Sequence, residues 1–227
     1  MNMNLLDAIQ TRHSVRSYTD QKIEGTVKDE LSSFLQECNQ ASGLHMQLVL
    51  NEPKAFSSFM ARFGKFSGVS SYIAIAGKKD NSAEELCGYY GEKVVLKAQQ
   101  LGLNTCWAVM TYNKIKTAYK LEKDEKIYMV IAIGYGKHQG TPHKSKSAQD
   151  VSNLSEASPE WFRNGVEAAL LAPTAMNQQK FYFTLNEDQT VSAKSGIGFY
   201  SKTDLGIVKY HFEIGAGTEN FQWRTDS

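Results

Sequence analysis

The sequence predicts an α+β fold, and three observations carry that reading. Short runs of aliphatic and β-branched residues are interleaved with segments of helical periodicity, hairpin-like strand pairs occur among them, and one long helix is apolar nearly all round. Hairpin-like pairs disfavour a doubly wound parallel sheet, and a helix without a polar face belongs at the centre of its fold.

Taken in order, Leu5, Leu6 and Ile9 share one face of an opening helix that ends near Thr11, and polar, turn-rich sequence follows through Gly25. Thr26 reads as an N-cap, with Val27, Leu31, Phe34 and Leu35 at helical spacing up to Cys38. Residues 45–51 (HMQLVLN) read as a strand, 55–63 as a helix and 71–76 (SYIAIA) as a buried strand. The all-round apolar helix spans Ala83 to about Leu101, with Gly102 placed to stop it. Strands 105–111 (TCWAVMT) and 127–133 (IYMVIAI) follow, joined by a short helix that includes Ala118 and Leu121. The polar stretch 137–153 is the one credible linker. Beyond it, Ser158-Pro159-Glu160 supplies an N-cap, a proline at the first helical position and an acidic first turn for a helix running to Ala172, where Pro173 ends it. Strands at 180–185 and 191–194 and a helix over 204–215, with Leu205, Val208 and Phe212 on one face, complete the chain. There is also a faint internal repeat: MQLVLNE at 46–52 can be laid on FYFTLNE at 181–187, and Gly102 followed by Trp107 on Gly215 followed by Trp223.

Composition excludes several classes of function. With 25 Lys and Arg against 24 Asp and Glu the formal net charge is +1, so no whole-molecule field exists to hold nucleic acid or an anionic membrane. Cys38, Cys87 and Cys106 are odd in number and widely spaced, which suggests neither a disulfide framework nor a zinc site and fits a reducing cytoplasm. No basic segment leads into an apolar stretch at the N-terminus, and every apolar run is too short to cross a bilayer, so the expectation is a protein neither secreted nor membrane-inserted.

Two segments could carry chemistry. In Arg12-His13-Ser14-Val15-Arg16, alternate side chains of an extended chain point the same way, so Arg12, Ser14 and Arg16 could converge on one phosphate; taken alone, the pattern describes a solvated basic loop better. In residues 172–179 (APTAMNQQ), Thr174 offers a hydroxyl while Asn177 and Gln179 offer amides that donate and accept, which suits the edge of a heteroaromatic ring; taken alone, it is a helix end and turn. Gly134 to Gly140 does not fit a dinucleotide-binding glycine turn, because it leads to Pro142 rather than a helix. His138 and His143 lack an acidic or cysteine companion at ligand spacing and read as a solvent-exposed pair rather than a metal site.

Together these segments resemble the nitroreductase-like FMN-dependent oxidoreductases. RHSVRSY at 12–18 is similar to that family's arginine-serine-arginine loop, and LLAPTAMNQQ at 170–179 to its APSAxNxQP motif. LGLNTCW at 101–107 is similar to the segment that ends its central helix, and IAIGYGK at 131–137 to its last core strand. The order departs from the usual pattern: the APSAxNxQP motif ordinarily follows the arginine loop within about one helix, yet that position here reads ECNQASGLHMQLVL and the motif comes after the linker. This resembles the branch in which two nitroreductase-like halves are fused into one pseudo-dimeric chain, here residues 1–150 and an abbreviated half at 151–227.

The resemblance implies that Arg12, Ser14 and Arg16 bind the FMN phosphate and ribityl end, with His13 acting through its backbone. Lys144 and Lys146 would approach the same phosphate. Pro173, Thr174, Asn177 and Gln179 would reach the flavin from the second half, and Val109 and Met110 would lie along its ring and could offer backbone donors. It further implies a monomer with one complete site and ping-pong reduction of a small nitroaromatic or quinone-like acceptor by NADH or NADPH, with the hydride passing through flavin N5. The alternatives are a flavin store or sensor without turnover, and an interaction scaffold without flavin.

Overall fold

The most apolar strands pair into a four-stranded sheet in the order β1-β2-β4-β3, formed by β1 (His45–Val49), β2 (Tyr72–Lys78), β3 (Asn104–Ala108) and β4 (Glu125–Gly134). All three pairings are antiparallel, with Ala74 opposite Val130 and Thr105 opposite Ile133. Residues 72–77 of β2 are buried without alternation, as expected of an inner strand covered on both faces. This computed structural model describes residues 3–57, 59, 63–80 and 82–224.

Helices α1 (Leu5–Thr11), α2 (Gly25–Ser42) and α3 (Ala83–Gln100) occur among the strands, with α2 packed on β1. Beyond them lie the single turn α4 (Ala148–Val151), α5 (Glu160–Leu170), β5 (Phe181–Leu185), β6 (Thr190–Ser195), α6 (Ser201–Ala216) and β7 (Gln222–Trp223). The chain forms two compact units. The first gathers Met3, Thr11–Ala83 and Lys93–Pro142; the second gathers Asn4–Gln10, Glu84–Glu92 and the residues from His143 onward.

The first unit has a core of Val15, Tyr18, Phe56, Phe66, Tyr72 and neighbouring aliphatic residues. In the second, Phe183 stacks 4.6 Å from Phe212, and Phe162, Phe221 and Trp223 pack around them. Burying a side chain such as Phe212, which is fully covered, contributes about 1.5–3 kcal/mol. A polar pair lies in the same unit: His211 and Glu92 are both fully buried and bonded at 2.9 Å, while the other ring nitrogen of His211 faces Ala168 O at 3.2 Å.

Element order within the units bears on the repeat. The first runs α2-β1-β2, the C-terminal half of α3, β3-β4; the second holds the N-terminal half of α3 and α5-β5-β6-α6-β7. In both, the strand after the opening helix pairs antiparallel with the next one. In the second unit β7 pairs directly and parallel with β6, whereas in the first β4 stands between β2 and β3.

Several boundaries differ from the sequence reading. Thr26 is not the N-cap of α2: the helix begins at Gly25, with Glu24 in the cap position and making no capping bond through its side chain. It also runs past Cys38 to Ser42, because the stop is Gly43 in the left-handed conformation, whose N–H reaches Asn39 O. Pro159 occupies the cap position and α5 starts one residue later, ending at Leu170 rather than Ala172. The helix expected around Ala118 and Leu121 is absent; Ala118 lies in a bend and Leu121 in irregular chain, and the Gln47 amide bonds both the N–H and the carbonyl of Lys120 at 2.8 and 2.7 Å. Of the helix expected at 55–63, Ala55 and Phe56 fall in a 3-10 turn, Pro53–Phe56, and residues 58 and 60–62 lie outside the described residues.

Helices α3 and α6 approach closely at two glycines. A Cβ on Gly88 would lie 2.0 Å from Thr203 O, and one on Gly206 would lie 2.0 Å from Glu85 O. Neither obstacle is a side chain that can swing away. Gly88→Ala and Gly206→Ala are each expected to destabilise the protein by about 1–3 kcal/mol, read as a lowered urea midpoint; an unchanged midpoint would show that this contact does not constrain the helices.

Candidate functional site

Residues 12–19 follow α1 as an extended segment tied through its main chain at three places. Val15 N donates to Thr105 O in β3 at 3.0 Å. Ser67 N donates to Arg16 O at 2.9 Å and Tyr18 N to Ser67 O at 3.0 Å. Thr19 N donates to Tyr135 O at 2.8 Å, and Lys137 N to Ser17 O at 2.9 Å. An extended chain places alternate side chains on one side, and Arg12, Ser14 and Arg16 all act on the thiol of Cys106 in β3. Burial pushes that thiol's pKa up, while the charge of Arg16, a hydrogen bond from the Ser14 hydroxyl and the charge of Arg12 pull it down.

Arg12 is buried and Arg16 exposed, so the cluster runs from the interior to the surface. Tyr18 braces it from below. Its hydroxyl donates to Val15 O at 2.7 Å, and burial holds its pKa well above the usual phenol value, so it stays a neutral donor. His13 is half-buried against Gly140, where φ is +79° and a Cβ would lie 2.7 Å from the His13 Cβ. Val109 and Met110 sit in the bend where the chain leaves β3, the first half-buried and the second exposed. An open cleft of ≈ 870 Å³ in the same unit, lined by Tyr18, Lys22, Asn51, Ser70 and Lys137 among others, contains none of the sequence-predicted site residues.

In the second unit, the segment after α5 is a strained loop. Met176, Asn177 and Gln179 have φ of 51°, 54° and 46°, left-handed values that cost non-glycine residues of order 1–3 kcal/mol each, least for Asn. Side chains hold it there. The Thr174 hydroxyl oxygen accepts from Gln179 N at 3.1 Å. The Gln179 amide donates to Lys144 O and to Asn177 Oδ1, both at 2.9 Å, and accepts from Lys146 N at 2.9 Å. Asn177 Nδ2 also donates to Lys144 O, and Lys146 Nζ to Gln179 O, each at 2.9 Å.

These bonds engage residues that the resemblance assigns to the flavin, and the last of them corrects the expectation for His143. The Gln179 amide is buried, with both N–H groups given to Lys144 O and Asn177 Oδ1 and its oxygen accepting from Lys146 N. Asn177 is exposed, but both ends of its amide are engaged in the same loop. Lys146 directs its ammonium to the Gln179 carbonyl, and Lys144 acts on the loop through its carbonyl. His143 is half-buried, not exposed, and bonds Leu170 O at 2.9 Å beside Ser145 Oγ at 3.0 Å, which together satisfy a carbonyl at the end of α5.

Two residues of this arrangement escaped the sequence reading. Cys106 passed as an ordinary member of an apolar strand. Asp204 anchors the strained loop, accepting from Ala175 N at 2.9 Å and from Gln178 Nε2 at 2.7 Å, although only 3% of it is exposed. A signal for it existed: Asp204 shares a helical stripe with Val208 and Phe212, and an acidic residue on a buried stripe calls for a partner. Among the described residues, no group of three or more His, Cys, Asp or Glu could hold a metal, and no helix is long and apolar enough to cross a membrane.

Fold and site define an α+β protein of nitroreductase-like fold with a cationic, hydroxyl-bearing cluster at one strand end. A family model described as "Putative TM nitroreductase" matches residues 4–216. The chain belongs to this family of oxidoreductases. The crystal structure of a "putative nitroreductase" from Thermotoga maritima has a TM-score of 0.68 and 24% identity, covering 95% of this chain and 84% of that one. A "putative nitroreductase in complex with FMN" from Exiguobacterium sibiricum has a TM-score of 0.53 and 14% identity, covering 67% of this chain and 97% of that one. A "putative NADH dehydrogenase/NAD(P)H nitroreductase" from Parabacteroides distasonis has a TM-score of 0.50 and 18% identity, covering 68% and 98%. No curated protein matches the chain.

Burial, opposed by the bonds from Gln178 and Ala175, raises the Asp204 pKa from 3.8 to about 6. A carboxyl whose pKa is raised on folding stabilises the fold most below pH 3.8, and that contribution, about 3 kcal/mol, is lost as pH rises through about 6. The Asp204 carboxyl carbon is expected to titrate near pH 6 by NMR, and Asp204→Asn to remove this part of the stability slope; titration near pH 4 would refute the assignment.

Proposed function

We propose that the protein is an FMN-dependent NAD(P)H oxidoreductase acting on small nitroaromatic or quinone-like acceptors. The supporting observation is the extended segment tied to β3, which carries Arg12, Ser14 and Arg16 at alternate positions near Cys106, since two guanidinium groups and a hydroxyl are the donor set that a phosphate monoester requires. The residues therefore fit the group. When bound, FMN supplies hydride transfer at N5, which connects a nicotinamide reductant to the acceptor.

The chain's own part is positioning and charge. Arg12 and Arg16 neutralise the phosphate, Ser14 donates to it, and the main-chain ties of residues 15–19 keep the three from dispersing. Pro173 and Thr174 are assigned to the flavin by their motif; Thr174 accepts from Gln179 N and keeps its own hydroxyl proton to donate. Val109 and Met110 are assigned to the ring on the same ground. Lys144 and Lys146 are assigned to the phosphate by the family resemblance; Lys146 gives one ammonium proton to the Gln179 carbonyl and keeps two to donate.

We further infer that the chain is the fused, pseudo-dimeric form and acts as a monomer. Chains matched over 97% and 98% of their own length cover only 67% and 68% of this one, and α5-β5-β6-α6-β7 repeats the first unit's opening order with one strand fewer. Cys38, Cys87 and Cys106 are buried free thiols, which supports residence in the reducing cytoplasm. The engagement of both Gln179 N–H groups by Lys144 O and Asn177 Oδ1 favours a second reading, a flavin store without turnover, because fewer donors remain to respond to a change in flavin charge.

Purified protein is expected to take up FMN with a visible flavin band, and to oxidise NADH or NADPH in the presence of menadione or a nitroarene. Flavin uptake without nicotinamide oxidation would select the store, and a colourless protein that ignores added FMN would overturn both readings. Arg16→Ala, at an exposed position, and Arg12→Ala are each expected to weaken FMN binding by about 1.5–3 kcal/mol, roughly ten- to a hundredfold in Kd.

A further inference from the structure

The strained loop in the second unit raises a question that the motif does not answer: what keeps Met176, Asn177 and Gln179 in left-handed backbone when only glycine adopts it freely. The Gln179 end is held by the segment before α4, through the 144–146 backbone and the Lys146 ammonium. The Ala175 end is held from a different element. Asp204, in the first turn of α6, takes Ala175 N–H on Oδ1 and the Gln178 amide on Oδ2, so one buried carboxylate brackets both left-handed residues between them. Gln178 Nε2 also donates to Phe199 O at 2.8 Å, which ties the segment before α6 into the same junction.

We propose that Asp204 is the positioning residue of the flavin loop: its two carboxylate oxygens, by gripping Ala175 N–H and the Gln178 amide, hold Pro173 and Thr174 in the conformation that contacts the cofactor. The inference rests on the assignment of residues 173–179 to FMN and goes beyond it, since Asp204 belongs to no motif and acts on the cofactor only through the loop. The chemistry is specific to a carboxylate. Both neighbours are donors, so both oxygens must accept, and an amide at this position satisfies one donor while presenting its own N–H to the other. A carboxylate in the first turn of a helix is also favoured by the local dipole, which partly offsets its burial.

The test uses the full chain and FMN as the probe. Asp204→Asn is expected to raise the FMN Kd several-fold and Asp204→Ala by about tenfold or more, as for loss of hydrogen bonds to a charged group. Phe212→Leu, which reduces packing in the aromatic core of the same helix, is expected to lower the melting temperature while leaving the FMN Kd unchanged. If the Asp204 and Phe212 variants lose flavin affinity in proportion to lost stability, Asp204 is merely structural and the proposal is overturned; the same follows if Asp204→Ala binds FMN like the parent. Hydrogen exchange separates this from the flavin reading itself. In the cofactor-free protein the Ala175 amide is expected to exchange at least about tenfold faster in Asp204→Ala than in the parent. Faster exchange in a protein that takes up no FMN would retain the clamp and reject its link to the flavin, overturning the proposal as stated; unchanged exchange would reject the clamp.

Discussion

The candidate site depends on the main-chain pairing of residues 14–19. A segment of this length has too few residues to hold a strand conformation alone, and its side chains contribute little packing beyond Val15 and Tyr18. Hydrogen bonds to Thr105, Ser67 and Tyr135, and one accepted from Lys137, hold it extended. Once the backbone is extended, the placement of Arg12, Ser14 and Arg16 on one side is a matter of stereochemistry. The cationic cluster therefore derives from neutral amide bonds rather than from attraction between its members, which repel one another in part. Cys106 beneath them is a small, neutral thiol that tolerates the adjacent charges without cancelling them.

The second unit solves a different problem. Its loop at 173–179 is costly in backbone terms, and the compensation is a dense set of side-chain bonds from Thr174, Asn177, Gln179, Lys146 and Asp204. The carboxylate is the expensive member. It is withdrawn from water, and its raised pKa records that burial outweighs the two donors it receives. Its two oxygens take the donors at either side of Met176 and Asn177, so the cost of burial is met where the backbone is left-handed.

Much of the fold was legible in the amino-acid order. Apolar runs located β2 and β4, periodicity located α3, α5 and α6, and Gly102 marked where α3 stops. The errors have a common physical origin. The turns at 113–124 look helical by spacing, yet Gln47, more than 60 residues away in sequence, captures the Lys120 backbone in their place. The end of α2 was set by a left-handed glycine beyond the last apolar residue, so hydrophobic spacing alone stopped it too early.

For the site, spacing alone determined that Arg12, Ser14 and Arg16 can share a side, and the motifs pointed to the family that the chain belongs to. It could not determine which polar groups remain available. Asn177, Gln179 and Lys146 look like ligand groups in the sequence because their donors and acceptors are chemically suitable; in the structure part of that capacity is taken up by bonds among themselves and to Lys144 O. The stripe of α6 called for a partner to Asp204 but could not name it, because a hydrogen bond between a helix and a loop 29 residues earlier leaves no local periodicity. Sequence specifies the inventory of donors and acceptors along the chain, whereas tertiary structure decides their pairing, since each group can be satisfied by any partner that the fold brings within about 3 Å.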